Sequence, residues 1–170
     1  MNPQTRTDLS RDALRIVHLH TQPQHRQAAA AMIWHEFWTA VPGASIAAMA
    51  ERLAQAASPD AVPLCLVALG DDGDTGTDTV LGVINLVDRD DDTHTDWTPW
   101  LAGLVVRADQ RGRGIGSALV RRLLAEARRL GVRRVYFGTD GPGFYTRLGA
   151  VLQLQHDANF CFMRFDITRS

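Results

Sequence analysis

Residues 110–117 read Gln-Arg-Gly-Arg-Gly-Ile-Gly-Ser and join an apolar strand to a long amphipathic helix. Upstream, residues 99–106 (Pro-Trp-Leu-Ala-Gly-Leu-Val-Val) end in β-branched residues that suit a buried strand. Downstream, Ile115, Leu119, Val120, Leu123, Leu124, Ala127 and Leu130 repeat at helical spacing, with Arg121, Arg122, Glu126 and Arg129 off that stripe. Gly131 supplies a left-handed stop. A glycine turn that opens a helix aims unpaired backbone N–H groups, and the positive end of the helix dipole, at whatever lies above it. Strand, turn and helix must therefore meet at an anion site, most simply one for a phosphate or diphosphate.

Three kinds of glycine turn compete for this segment. A nucleotide P-loop needs Gly-x-x-x-x-Gly-Lys-Ser/Thr, and the chain contains no lysine. A dinucleotide turn wants Gly-x-Gly-x-x-Gly early in the chain, with an acid about twenty residues on. Here Gly112, Gly114 and Gly116 alternate two-thirds of the way along, and too little chain follows Asp140 to complete a doubly wound sheet. The third kind fits. Arg111-x-x-Gly114-x-Gly116 matches the Arg/Gln-x-x-Gly-x-Gly/Ala signature of the GNAT superfamily of N-acetyltransferases. Residues 106–116 resemble that family's strand-to-helix junction, with Ala108 where proline is common. Residues 143–150 (Gly-Phe-Tyr-Thr-Arg-Leu-Gly-Ala) resemble its Phe-Tyr-x-x-Leu-Gly-Phe segment, with Ala150 in place of the aromatic. The two motifs stand in the right order and separation, and the likeness spans residues 99–156. A finer likeness, carried by residues 63–69, 111–116 and 144–149, is to the actin N-terminal acetyltransferases. Those act on an acidic N-terminus, so only the general possibility of a peptide amine carries over.

The resemblance implies an α/β (α+β) GNAT fold: a mixed central sheet, element order β-α-α-β-β-β-α-β-α-β-β, and a splay between the strands flanking the cofactor helix. It also implies acetyl-coenzyme A as co-substrate. The diphosphate would lie on residues Arg111, Gly112, Arg113, Gly114, Ile115, Gly116 and Ser117, and the pantetheine arm along Leu104, Val105 and Val106. The residues agree on physical grounds: the glycines remove Cβ atoms that would hold a diphosphate away, and the arginines bring charge to its rim. The family usually passes the acetyl group directly to an amine, without an acyl-enzyme, and no nucleophile motif contradicts that. Tyr145 matches the family tyrosine that protonates the leaving thiolate.

The base and the acceptor are less determined. Many relatives carry a Glu in the strand before the glycine turn, whereas residues 99–106 contain no carboxylate and Trp100 stands near that position. Asp96 and His94, or His35 and Glu36, are the alternatives, with Asp96 the leading candidate. Residues 88–97 (Asp-Arg-Asp-Asp-Asp-Thr-His-Thr-Asp-Trp) hold five carboxylates beside Trp97 and Trp100. Acids and indole faces together suit a cationic amine, with His35 as a further contact. Neither this loop nor the Asp72-x-Asp74-x-Gly76 stretch completes a calcium loop, so no metal is expected. A second reading, favoured by the missing strand carboxylate, is a non-catalytic acyl-coenzyme A sensor; a nucleotide-binding regulatory domain is a third.

Bulk properties set the frame. The chain has 170 residues, a net charge of −1 and 45% hydrophobic residues, which points to one domain and away from a nucleic-acid binder. All 18 basic residues are Arg, nine of them between 107 and 134, and nine Asp lie between 71 and 96. A basic cofactor region thus adjoins an acidic loop region, although solvated surface explains most single charges. Cys65 and Cys161 sit in apolar stretches and read as buried thiols. With neither a signal peptide nor a membrane span in view, the expected setting is cytoplasmic, as a monomer or homodimer acting on a small-molecule or peptide amine, with no nucleic acid or membrane partner.

Along the chain, residues 1–13 are expected to be a flexible tail and residues 14–170 one domain. Residues 14–20 read as a strand. Residues 23–38 read as a helix with Ala28, Ala31, Met32, His35 and Trp38 on related faces. Ser45 caps a second helix, 46–56, striped by Ile46, Met49, Ala50 and Leu53. Strands 63–69 and 80–87 pair across a long hairpin loop. Strand 133–138, a short helix 142–148 and strands 151–155 and 160–166 follow the long helix. Gly103 marks either a bulge in strand 99–106 or a close packing contact.

Overall fold

The computed structural model describes residues 14–71 and 78–168. The tail expectation for residues 1–13 and the Asp72–Gly76 stretch lie outside the described residues. Among the described residues, eleven helices and strands run β1 (Arg15–His18), α1 (Arg26–Phe37), α2 (Ile46–Ala54), β2 (Leu64–Asp71), β3 (Asp78–Val87), β4 (Trp100–Val106), α3 (Ile115–Arg129), β5 (Arg134–Thr139), α4 (Pro142–Thr146), β6 (Val151–Gln155) and β7 (Cys161–Asp166). This is the order the motifs imply. The strands form a seven-stranded sheet, β1-β2-β3-β4-β5-β7-β6, antiparallel except where β4 meets β5.

Central strands are apolar on both faces because helices cover both. In β2, Leu64, Leu66 and Ala68 join the core built on α3, while Cys65, Val67 and Leu69 join the core under α1 and α2. On α3, Ile115, Leu119, Val120, Leu123 and Ala127 are buried, as their spacing predicts. Ser45 caps α2 by accepting from the Ala48 amide at 3.0 Å. Helix α1 corrects the sequence reading: Ala29, Ala30 and Ile33 are buried, while Ala28 and His35 are exposed. A run of four alanines at 28–31 carries no directional apolar signal, so Ile33 decides which face turns inward. Cys65 and Cys161 are buried free thiols.

Glu126 is the second correction. Expected off the apolar stripe, it is only 8% exposed. Its carboxylate accepts from Arg122 at 3.1 Å and Arg129 at 2.9 Å and lies 3.5 Å from His18 Nε2, so pairing makes the burial tolerable. Burial works against this carboxylate, but Arg129 and Arg122 outweigh it and hold it below the usual range. Burial pushes His18 down from its ordinary value, and its buried Nδ1 has no hydrogen-bond partner among the described residues. An unfolded chain therefore takes up the histidine proton before the folded chain does, so stability is lost as pH falls below about 6.5. Denaturation midpoints measured from pH 7 to 5 should fall, and His18→Gln should flatten that slope. An unchanged slope in the variant would remove His18 as its source.

Candidate active site

Strands β4 and β5 pair only at Trp100 and Tyr136, where the Tyr136 amide donates to Pro99 O at 3.0 Å. Beyond that point they separate, leaving the β5-facing edge of residues 101–106 without a strand partner among the described residues. The expected splay is therefore present. Gly103 has φ +61, and the β3–β4 register shifts between Val83/Val105 and Asn85/Ala102, which places one extra residue in β4. That is a bulge. Close packing holds as well, since a Cβ on Gly103 would lie 3.0 Å from Asn85 Nδ2.

The chain leaves β4, makes a 3-10 turn at Ala108–Gln110 and enters the glycine segment. Gly112 and Gly114 have φ of +76 and +83, a region that favours glycine. A Cβ on either would meet nothing within 4 Å. These glycines thus serve backbone conformation and leave open space above the turn. Gly114 precedes α3 with no side-chain cap, and the first internal bond of the helix runs from the Ala118 amide to Gly114 O. The amides of Ile115, Gly116 and Ser117 have no acceptor within the helix. They front a cavity of about 550 Å³. Leu104, Val105, Val106, Arg111, Gly112, Gly114, Ile115, Gly116 and Ser117 line it, joined by Glu36, Gln110 and Phe144. Uncapped amides and absent Cβ atoms fit a diphosphate.

The two arginines take different parts. Arg111 Nε donates to Val106 O at 3.0 Å, and its guanidinium stands 3.5 Å from Glu36. An arriving phosphate would compete with Glu36 for it. Arg113 does not line the cavity; it reaches Gln110 Oε1 at 3.3 Å and so braces the turn.

A larger cavity, about 1050 Å³, opens on the other side of Leu104, which lines both. Tyr145, from α4, lines it, with its ring 4.3 Å from Phe137. Among the described residues its hydroxyl has no hydrogen-bond partner. Burial, aided by the charge of Asp140, pushes the phenol up to about 12, so it is protonated throughout the neutral range. Five carboxylates line the cavity: Asp88, Asp90 and Asp91 after β3, Asp140 after β5 and Asp157 between β6 and β7. Desolvation raises Asp90 above its ordinary value despite the opposing charge of Arg52, and the neighbouring charge of Asp91 adds to the rise. Burial also opposes Asp91, but hydrogen bonds from the His94 amide and ring hold it below the usual range.

Several expected residues stand elsewhere. Asp96 is exposed and does not line the cavity. His35 is exposed on α1, edge-on to Trp34 at 5.0 Å, and does not line it either. Trp97 stacks between His94 at 4.0 Å and Tyr136 at 5.6 Å. Trp100 lines the cavity but is 1% exposed, packed with Tyr136 and Phe162, and donates its indole N–H to Trp97 O. The indole faces are therefore covered by protein rings instead of being free for a ligand. The carboxylate lining differs from the expected patch: Asp88, Asp90 and Asp91 line the cavity, Asp92 and Asp96 do not, and β5 and the β6–β7 turn bring in Asp140 and Asp157 to form an acidic wall. Sequence reasoning missed Asn85, a lone polar residue in the apolar run of β3 that is 7% exposed and lines the cavity. That interruption was the available signal. Among the described residues, no group of three or more His, Cys, Asp or Glu is arranged to hold a metal, and no helix is long and apolar enough to cross a membrane.

Solved structures share this fold at low identity. The Salmonella typhimurium protein yncA, solved with its cofactor acetyl-CoA, is 16% identical, with 94% of this chain and 96% of that one covered at a TM-score of 0.68. An aminoglycoside 6'-N-acetyltransferase complexed with coenzyme A is 19% identical (92% and 98% covered, TM-score 0.67). A chain of the NatC complex bound to Gag peptide and CoA is 15% identical (92% and 99% covered, TM-score 0.66). No curated protein matches the sequence significantly. Residues 30–150 match the model of the acetyltransferase (GNAT) family. That match covers well over half of the chain and includes both halves of the cleft, and the protein belongs to the GNAT acetyltransferase family.

Proposed function

We propose that the protein transfers the acetyl group of acetyl-coenzyme A directly to the amino group of a cationic small molecule or peptide. The observation that carries this reading is the meeting, at Leu104, of an uncapped helix N-terminus with a large acidic cavity lined by Tyr145. The diphosphate rests on the amides of residues 114–117, and the thioester reaches the splay along residues 104–106. The acidic wall concentrates a cationic amine on the other side. An alkyl ammonium has a pKa near 10, so it must lose its proton before attack. On this reading Asp140, which lines the cavity, takes that proton through water, in the role expected of Asp96. The amine nitrogen then bonds to the thioester carbon, the C–S bond breaks and the nitrogen sheds its second proton to solvent, while the departing sulfur takes a hydrogen bond from Tyr145 and its own proton from solvent.

The missing carboxylate on β4 favours one further reading, an acyl-coenzyme A sensor that binds without turnover. Thiol release from acetyl-coenzyme A, measured with polyamines, aminoglycosides and basic peptides, separates the two. Amine-dependent release supports transfer; thermal stabilisation by acetyl-coenzyme A with every amine inert supports the sensor. Stabilisation by NAD or ATP instead would overturn both.

A further inference from the structure

We propose that Asn85 receives the acceptor amine, its side-chain carbonyl Oδ1 accepting an N–H from the attacking amino group; the assignment rests on the acetyl transfer proposed above. Asn85 occupies the same face of β3 as Val83, a face otherwise given to the core under α1 and α2. A buried polar side chain in such a place needs partners for both ends of its amide. Only one end has one: Nδ2 donates to Ala102 O at 3.3 Å. Because a carbonyl can only accept, this contact fixes the amide orientation. Oδ1 is left as the free acceptor, and no donor among the described residues reaches it. The residue lines the large cavity, so that acceptor is presented to whatever enters.

The bulge in β4 makes the arrangement possible. Gly103 has no Cβ to crowd Nδ2, and the nearest other side chain to that position is Ile33, at 3.7 Å. The amide is thus held from one end on the strand that borders the splay. Five carboxylates line the same cavity, and they attract a cation without choosing which nitrogen reacts. A neutral acceptor suits the reacting nitrogen better than an acid does. Nearby carboxylate would stabilise the ammonium and raise its pKa, whereas an amide carbonyl holds one N–H and leaves the lone pair free for the thioester carbon.

The test uses the full chain and the best acceptor from the polyamine, aminoglycoside and basic-peptide panel. In Asn85→Ala, the amine KM should rise about tenfold while the coenzyme A Kd stays within about twofold. In Asn85→Asp, which is nearly isosteric and guards against a folding failure of the alanine variant, the acidic limb of the kcat–pH profile should move up by about one unit. Unchanged amine KM and an unmoved profile would overturn the assignment. So would an amine KM and a coenzyme Kd that rise together, since that pattern reports lost packing. Wild-type protein inert toward every amine would overturn the transfer reading itself, a result distinct from active wild type with indifferent variants.

Discussion

Replacing Tyr145 by Phe lowers kcat about 100-fold and leaves the coenzyme A Kd within about twofold, the size of effect that loss of one donor to developing charge produces. The ring contact with Phe137 survives the substitution, so the variant removes only the hydroxyl. At about 12, the phenol lies well above a thiol near 8.5, which makes complete proton transfer to a free thiolate uphill. In the proposed reaction Tyr145 would therefore serve chiefly as a hydrogen-bond donor to sulfur while the C–S bond breaks, with solvent supplying the net proton. The same value predicts that no alkaline loss of kcat arises from this residue below about pH 10. Thiol-release kinetics with calorimetric binding separate the two quantities. Unchanged turnover would exclude the role.

Replacing Leu123 by Ala destabilises the fold by about 3 kcal/mol, which corresponds to a Tm lowered by roughly 6–12 °C in a domain of this size. Leu123 is fully buried on α3, packed into the core that includes Leu64, Leu66, Ile84 and Leu86. Its neighbour Leu124 is only partly buried, so Leu124→Ala should cost distinctly less. Urea unfolding of the two variants decides the point. A loss below about 1 kcal/mol for Leu123 would mean that α3 packs less tightly than described. The comparison matters for function because α3 holds the uncapped amides of its first turn against β4.

The cofactor side was legible because its glycines carry two signals at once. Gly112 and Gly114 need positive φ, and their spacing before an amphipathic helix reports both the turn and the anion it can hold. The proposed acceptor side was not legible, because it is assembled from segments far apart in sequence. Asp140 and Asp157 reach the acidic wall only once β5, β6 and β7 are paired, and nothing local in their sequence foretells that. Conversely, the run from Asp88 to Trp97 reads as one patch, yet the fold divides it. Asp91 turns to His94, Asp96 faces solvent, and Trp97 and Trp100 close on Tyr136 and Phe162 as an internal aromatic cluster. Glu126 illustrates the same limit: charge alone placed it outside, and two arginines with a histidine allowed it in. Asn85 was visible as a break in an apolar strand, but its use depends on the β4 bulge beside it.

On the proposed reading the α3 N-terminus holds the coenzyme diphosphate. Backbone amide chemical shifts of Ile115, Gly116 and Ser117, followed during titration with coenzyme A and separately with pantetheine, which lacks the diphosphate, test it most directly. Coenzyme A should move these amides strongly, and pantetheine should perturb residues 104–106 while leaving them in place. Coenzyme A binding without movement of the three amides, or equal movement with pantetheine, would exclude the α3 N-terminus as the diphosphate site.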